Sequence, residues 1–202
     1  MRDNMALVVV DIVNSVCSKE CERPEWGITF GKIREMVPRL DKFVSSYRAK
    51  VNQNVYFINC TPWTKEFLPG NIQKLYEDSE ADYYSEGGFG EEFYVLRPRD
   101  TDVVVTKNSY DAFTNSELEE SLRERGVDTL VVTGVFTDGC VLSTIVGGFS
   151  KGYNFVILRD MVETTDLPVR QRLQEDLLNY TLPKLYGKVM TGEEFLNWEG
   201  EG

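Results

Sequence analysis

The chain of 202 residues contains no histidine. That absence removes Ser-His-Asp and Cys-His nucleophilic catalysis and takes away the commonest zinc ligand. Cysteine is sparse, at four residues (Cys17, Cys21, Cys60 and Cys140), which does not resemble the disulfide framework of a secreted domain. Positive charge is also short: 22 Lys and Arg against 33 Asp and Glu leave a net charge of −11, with no basic run. Such a surface repels nucleic acid and anionic membrane, although a pocket can still carry local positive charge for a small anionic substrate. No apolar run reaches transmembrane length, and Met1-Arg2-Asp3-Asn4-Met5 leads too quickly to Asp11 for a signal peptide. The expectation is a cytoplasmic protein. What is present, 42% apolar and 12% aromatic residues, is enough to build the core of one large domain.

Six apolar segments read as short parallel strands: 6–11, 54–60, 102–107, 129–134, 154–159 and, more weakly, 188–190. Their Val, Ile, Leu and Phe residues show little alternation, the pattern of strands covered on both faces. Helical stretches separate most of them. Residues 29–50 carry Ile33, Val37, Leu40, Val44 and Tyr47 at helical spacing, with Pro38 marking a kink or a late start. Thr114-Asn115-Ser116-Glu117 reads as a capping box for a helix ending at Gly126. Residues 140–151 are apolar nearly all round, as in a buried helix, and residues 169–178 and a capping box at Thr191 to Glu194 supply the last two. Alternation of this kind predicts a parallel sheet with helices on both faces. The exception is a loop-rich insert at about 61–99, whose Pro62, Pro69, Gly70 and Gly87 to Gly90 interleave with Trp63, Phe67, Tyr83, Tyr84, Phe89 and Phe93. An insert that long is either a lid or partner surface, or a surface excursion.

In a parallel sheet all carboxyl ends of the strands share one edge, where ligands bind. Three reactive side chains fall at such ends: Asp11, Lys107 and, after the strand and tight turn 129–139, Cys140. A thiol opening a helix has its pKa drawn from about 8.5 toward roughly 3.5–7.5, whereas a buried structural Cys is only a small hydrophobe. An Asp ending a strand often just accepts turn N–H bonds, and a Lys there is usually solvated. Together, however, Asp11 and Lys107 replace the missing imidazole: Lys107 would hold the thiolate of Cys140, and Asp11 would take the thiol proton and return it to a leaving amine. Cys17-Ser18-Lys19-Glu20-Cys21 reads as a plain loop, with a redox pair as the second choice.

Val8-Val9-Val10-Asp11-Ile12-Val13-Asn14, Lys107-Asn108-Ser109-Tyr110-Asp111-Ala112-Phe113 and Gly134-Val135-Phe136-Thr137-Asp138-Gly139-Cys140-Val141 resemble the signature blocks of the isochorismatase-like cysteine hydrolases. The resemblance runs the length of the chain as a single domain. It implies a three-layer α/β/α fold with a mainly parallel, Rossmann-like sheet of about six strands. It further implies an Asp11-Lys107-Cys140 triad, a cis peptide at Val135-Phe136, and an oxyanion hole from the Phe136 and Cys140 N–H groups. The chemistry implied is hydrolysis of a C–N bond in a small amide, ureide or carbamoyl compound through a Cys thioester, by a homodimer or homotetramer without a cofactor. Alternatives are a catalytically silent metabolite-binding protein of the same fold and a vinyl-ether hydrolase, a branch that lacks the Cys. Where the nicotinamidase branch places an Asp/His metal site, this chain has Asn59-Cys60-Thr61-Pro62-Trp63. Trp63, Tyr110 and Phe113 are candidates for the pocket wall, with core packing as the alternative.

Overall fold

In a computed structural model, which describes residues 3–77 and 88–198, a six-stranded sheet forms the centre of the molecule. In chain order the elements are β1 (Met5–Val10), α1 (Asn14–Cys17), α2 (Gly31–Lys50), β2 (Val55–Cys60), α3 (Gly70–Glu77), β3 (Val103–Lys107) and α4 (Ser116–Glu124). There follow β4 (Thr129–Val135), α5 (Leu142–Ser150), β5 (Asn154–Glu163), α6 (Pro168–Asp176), α7 (Leu182–Leu185), β6 (Gly187–Met190) and α8 (Gly192–Asn197). All strand pairs are parallel, in the order β3-β2-β1-β4-β5-β6. The sheet is therefore as expected from the sequence, and its order reverses between β1 and β4.

The strand period of two splits the apolar residues between two cores. From β1, Met5, Leu7 and Val9 face one layer, where α2 supplies Ile33, Met36, Val37, Leu40, Phe43, Val44 and Tyr47, and α8 supplies Phe195. Ala6, Val8 and Val10 face the other, against Leu118 and Leu122 of α4, Ile145 of α5, and Leu177, Leu178 and Leu182. Fully burying a side chain of this size contributes about 1.5–3 kcal/mol, so both faces of β1 anchor the fold.

Several local expectations are corrected. Helix α2 starts at Gly31 and runs through Pro38, so the proline does not delay the start. The N-cap of α4 is Asn115, whose side chain accepts the Glu117 N–H, while the Thr114 hydroxyl donates to the Asp111 carbonyl; the 114–117 capping box does not form. By contrast the Thr191–Glu194 box is present. Helix α5 is not buried all round. Its inner side meets Phe113 and Phe155 so closely that a Cβ on Gly148 would lie 2.5 Å from the Phe113 ring, but Val146 and Phe149 point outward, 38% and 46% exposed.

The 17–21 segment is not a plain loop: Cys17 closes α1, and Lys19–Cys21 forms one tight 3-10 turn. Within the 61–99 insert the described residues include α3 and a 3-10 turn at Gly88–Glu91. Its far end is tied to the exit of β1, where Tyr94 N–H donates to the Ile12 carbonyl and Phe93 packs edge-on against Phe57 at 5.6 Å. Tyr83, Tyr84 and Gly87 lie outside the described residues. No helix among the described residues is long and apolar enough to cross a membrane.

Candidate active site

The reversal between β1 and β4 opens the crevice at the carboxyl edge of the sheet where ligands bind in such folds. Asp11 leaves β1 there with φ 51°, a left-handed conformation that Asp tolerates better than most residues. Its N–H donates to the Ile58 carbonyl at 3.0 Å, and its side chain is buried. Lys107, the last residue of β3, is 1% exposed. From opposite sides of β2 these two meet: Lys107 Nζ lies 2.8 Å from Asp11 Oδ2. Burying one such charge alone would be costly, and the pairing explains how both are tolerated.

Cys140 arrives from β4. Gly134 pairs with Val10 at φ 107°, and a Cβ there would lie 2.0 Å from the Val10 carbonyl oxygen, so only glycine lets the two chains approach. The next peptide, Val135-Phe136, is cis. The chain then curls through Thr137–Val141, where the Phe136 carbonyl accepts the N–H groups of Gly139 (2.9 Å) and Val141 (3.1 Å). Cys140 thus sits inside an irregular turn, two residues before α5 begins, and does not itself open a regular helix. Its thiol accepts from Lys107 Nζ at 3.4 Å. The structure brings Asp11, Lys107 and Cys140 into one cluster.

The electrostatics differ from the expectation. Burial pushes the Cys140 thiol well above its ordinary range, and the Asp11 carboxylate adds to this more than Lys107 offsets it. The resting group is a thiol, not a thiolate. Burial disfavours the Lys107 ammonium, but Asp11 first, then the neighbouring thiols, reverse this and hold its pKa well above the usual lysine range. The consequence is a cluster that keeps its protons until a reaction moves one.

Three features were missed from sequence. Cys60, the last residue of β2, donates to Asp11 Oδ1 at 3.4 Å and accepts from Lys107 Nζ at 3.2 Å. The same edge argument applied to β2 would have found it. Tyr76 of α3 joins Trp63 and Tyr110 in an aromatic wall: its hydroxyl is 3.0 Å from that of Tyr110, and the Trp63 ring lies 5.9 Å from both the Tyr110 ring and Lys107 Nζ. Phe113 does not join them; it is buried in the second core with its ring 5.4 Å from Tyr153. Finally, Arg170 of α6 clamps the turn before Cys140, with two 2.7 Å bonds to the Asp138 carboxylate and its guanidinium 4.7 Å from the Phe136 ring. Burial works against the Asp138 charge, but the bonds from Arg170 and Thr164 hold its carboxyl below the usual range. No motif in the sequence marks Tyr76 or Arg170. Among the described residues no group of three or more His, Cys, Asp or Glu is placed to hold a metal ion.

The family model of the isochorismatase domain matches residues 5–194. The chain belongs to the isochorismatase family. This isochorismatase-family hydrolase is 26% identical over 210 residues to the ureidoacrylate amidohydrolase RutB of Acinetobacter baylyi, an alignment covering 96% of this chain and 83% of that protein. Its fold is similar to the crystal structure of a cysteine hydrolase from Pseudomonas syringae pv. phaseolicola, with a TM-score of 0.82 at 24% identity over 98% of this chain and 92% of that one. It is also similar to N-carbamoylsarcosine amidase from Thermoplasma acidophilum, with a TM-score of 0.71 at 24% identity, covering 98% of this chain and 99% of that one.

Proposed function

We propose that this isochorismatase-family hydrolase cleaves the C–N bond of a small amide, ureide or carbamoyl compound through a thioester on Cys140. The observation that carries the reading is the convergence of Asp11 Oδ2 and the Cys140 thiol on one buried ammonium, that of Lys107. Asp11 takes the thiol proton as sulfur attacks the carbonyl carbon, and Lys107 offsets the charge passing through the cluster. The Phe136 and Cys140 N–H groups receive the oxyanion, a role in which a single donor can be worth about 2.7–4 kcal/mol. On collapse the C–N bond breaks and the departing amine or ammonia takes the proton from Asp11. Water then attacks the thioester, giving its proton to Asp11, and the expelled Cys140 sulfur recovers it. A neutral resting thiol fits this sequence, because proton transfer accompanies attack.

In this reading the aromatic cluster of Trp63, Tyr76 and Tyr110 beside Lys107 would wall the substrate site, a surface suited to a small planar amide or ureide. The relative from Acinetobacter baylyi is named for an amidohydrolase reaction on ureidoacrylate, which supports the amide class over a vinyl ether. A homodimer or homotetramer is part of the same proposal, and light scattering on the purified chain tests it. The activity test is ammonia release across a panel of small amides and ureides, with acid-quenched intact mass to detect acyl-Cys140. Cys140→Ala is expected to abolish both signals; full turnover in that variant defeats the reading.

A further inference from the structure

The Lys107 ammonium has three N–H donors, and the site offers three acceptors: Asp11 Oδ2 at 2.8 Å, Cys60 Sγ at 3.2 Å and Cys140 Sγ at 3.4 Å. The Asp11 carboxylate is shared in a matching way, Oδ2 with Lys107 and Oδ1 with the Cys60 S–H at 3.4 Å. Cys60 is therefore a fourth member of the cluster, bonded to both the acid and the ammonium. It is also rigidly placed, since its backbone is in register with Lys107 at the end of the β2–β3 ladder, and Thr61 N–H donates to the Lys107 carbonyl at 2.8 Å.

A neutral group that donates and accepts at once is needed at this point. A carboxylate would add a second negative charge beside Asp11, and an aliphatic side chain would take one hydrogen-bond partner from Lys107 and one from Asp11. Burial pushes the Cys60 thiol up to about 12, so it keeps its proton and remains a donor across the neutral range.

We propose that Cys60 is a positioning residue that holds the Asp11 carboxylate against Lys107 and so sets the pH at which the cluster takes up the Cys140 proton. The proposal rests on the reading of Asp11 as the base and Cys140 as the nucleophile. A hydrogen bond to a carboxylate favours its charged form, so losing the S–H weakens the cluster's hold on that charge and moves its low-pH midpoint up. The other titratable groups facing this cluster are Lys107 from β3, Cys140 from the turn after β4, Cys17 from α1, Tyr76 from α3 and Asp111 from beyond β3. Their titrations couple, so the observable is a midpoint of the cluster and not of one side chain.

Alkylation of Cys140 by iodoacetamide, followed by peptide mass spectrometry from pH 4 to 10, reads that midpoint without a known substrate. Cys60→Ala is expected to move the low-pH limb up by about 0.5–1 unit, the size set by one net hydrogen bond. Cys60→Ser, which keeps a donor, should bring the limb back to the wild-type position. If Cys60→Ala does not fold, Cys60→Val fills the space without a donor and carries the same expectation. Limbs that superimpose in all variants, with rates only scaled, overturn the proposal and reduce Cys60 to a filler. Wild-type Cys140 labelling no faster than Cys17, Cys21 and Cys60 overturns the nucleophile reading instead, and this inference with it.

Discussion

The buried Asp11–Lys107 pair makes a quantitative prediction about stability that is independent of any substrate. Asp11→Asn removes one charge while keeping a side chain that tolerates φ 51°. Lys107 is then a full positive charge with 0% of its side chain exposed and no counter-ion at 2.8 Å. Breaking a buried pair from one side costs about 3–5 kcal/mol, and Lys107→Met, which strands Asp11, should cost the same. For a chain of this size about 2–4 °C is lost per kcal/mol, so each single variant should melt about 6–20 °C lower. The double variant removes both charges together, and a pair of neutral side chains of similar volume carries no stranded ion. Its stability should lie within about 2 kcal/mol of wild type, not about 6–10 kcal/mol below it as simple addition requires. Urea titration and calorimetry of the four proteins measure the cycle. Single losses below about 1 kcal/mol, or a double variant as unstable as the sum, would refute the claim that this pair is a mutually dependent buried unit.

Two further outcomes follow from the same geometry. Gly134→Ala places a Cβ 2.0 Å from the Val10 carbonyl oxygen, backbone that cannot swing aside, at φ 107°. It should destabilise by about 3 kcal/mol or more and, if it folds, lose Cys140 labelling; a melting point within 3 °C of wild type is the contrary result. Burial raises the thiols of Cys17, Cys60 and Cys140, so the folded chain keeps protons that the unfolded chain releases from about pH 8.5 upward. Stability should therefore fall above pH 8.5 by about 1.4 kcal/mol per unit for each such thiol, and Cys60→Ala should flatten the slope of urea stability between pH 9 and 11 by one thiol's share. Lys107 adds to the loss only at higher pH, because its raised pKa keeps its contribution intact below the ordinary lysine value.

Short-range patterns were readable because their causes are local. Val8-Val9-Val10 before Asp11 has the composition of a covered strand and is fully buried, whereas Val103-Val104-Val105 before Lys107, of like composition, lies at the sheet edge with Val104 43% exposed. Local reading also misjudged some details. The 114–117 box lost to Asn115, because the Thr114 hydroxyl found the Asp111 carbonyl first. Cys140 sits inside an irregular turn and does not open a regular helix, and burial with the Asp11 charge reverses the expected shift. Phe113 and Trp63 are both aromatic residues near strand ends, yet one packs under α5 and the other reaches Lys107.

By itself, then, the sequence determined the strand–helix alternation, the single sheet edge that gathers Asp11, Lys107 and Cys140, and the exclusion of imidazole chemistry. These depend on periodicity, composition and the rule that parallel strands end together. Only the tertiary structure decided that β1 lies between β2 and β4, and so which carboxyl ends are neighbours. That order puts Cys60 between Asp11 and Lys107, brings Tyr76 to Trp63, and hangs Arg170 over the Phe136 turn. The physical reason is that each of these contacts joins residues from different elements, and their meeting depends on how whole layers pack, not on any signal within one segment.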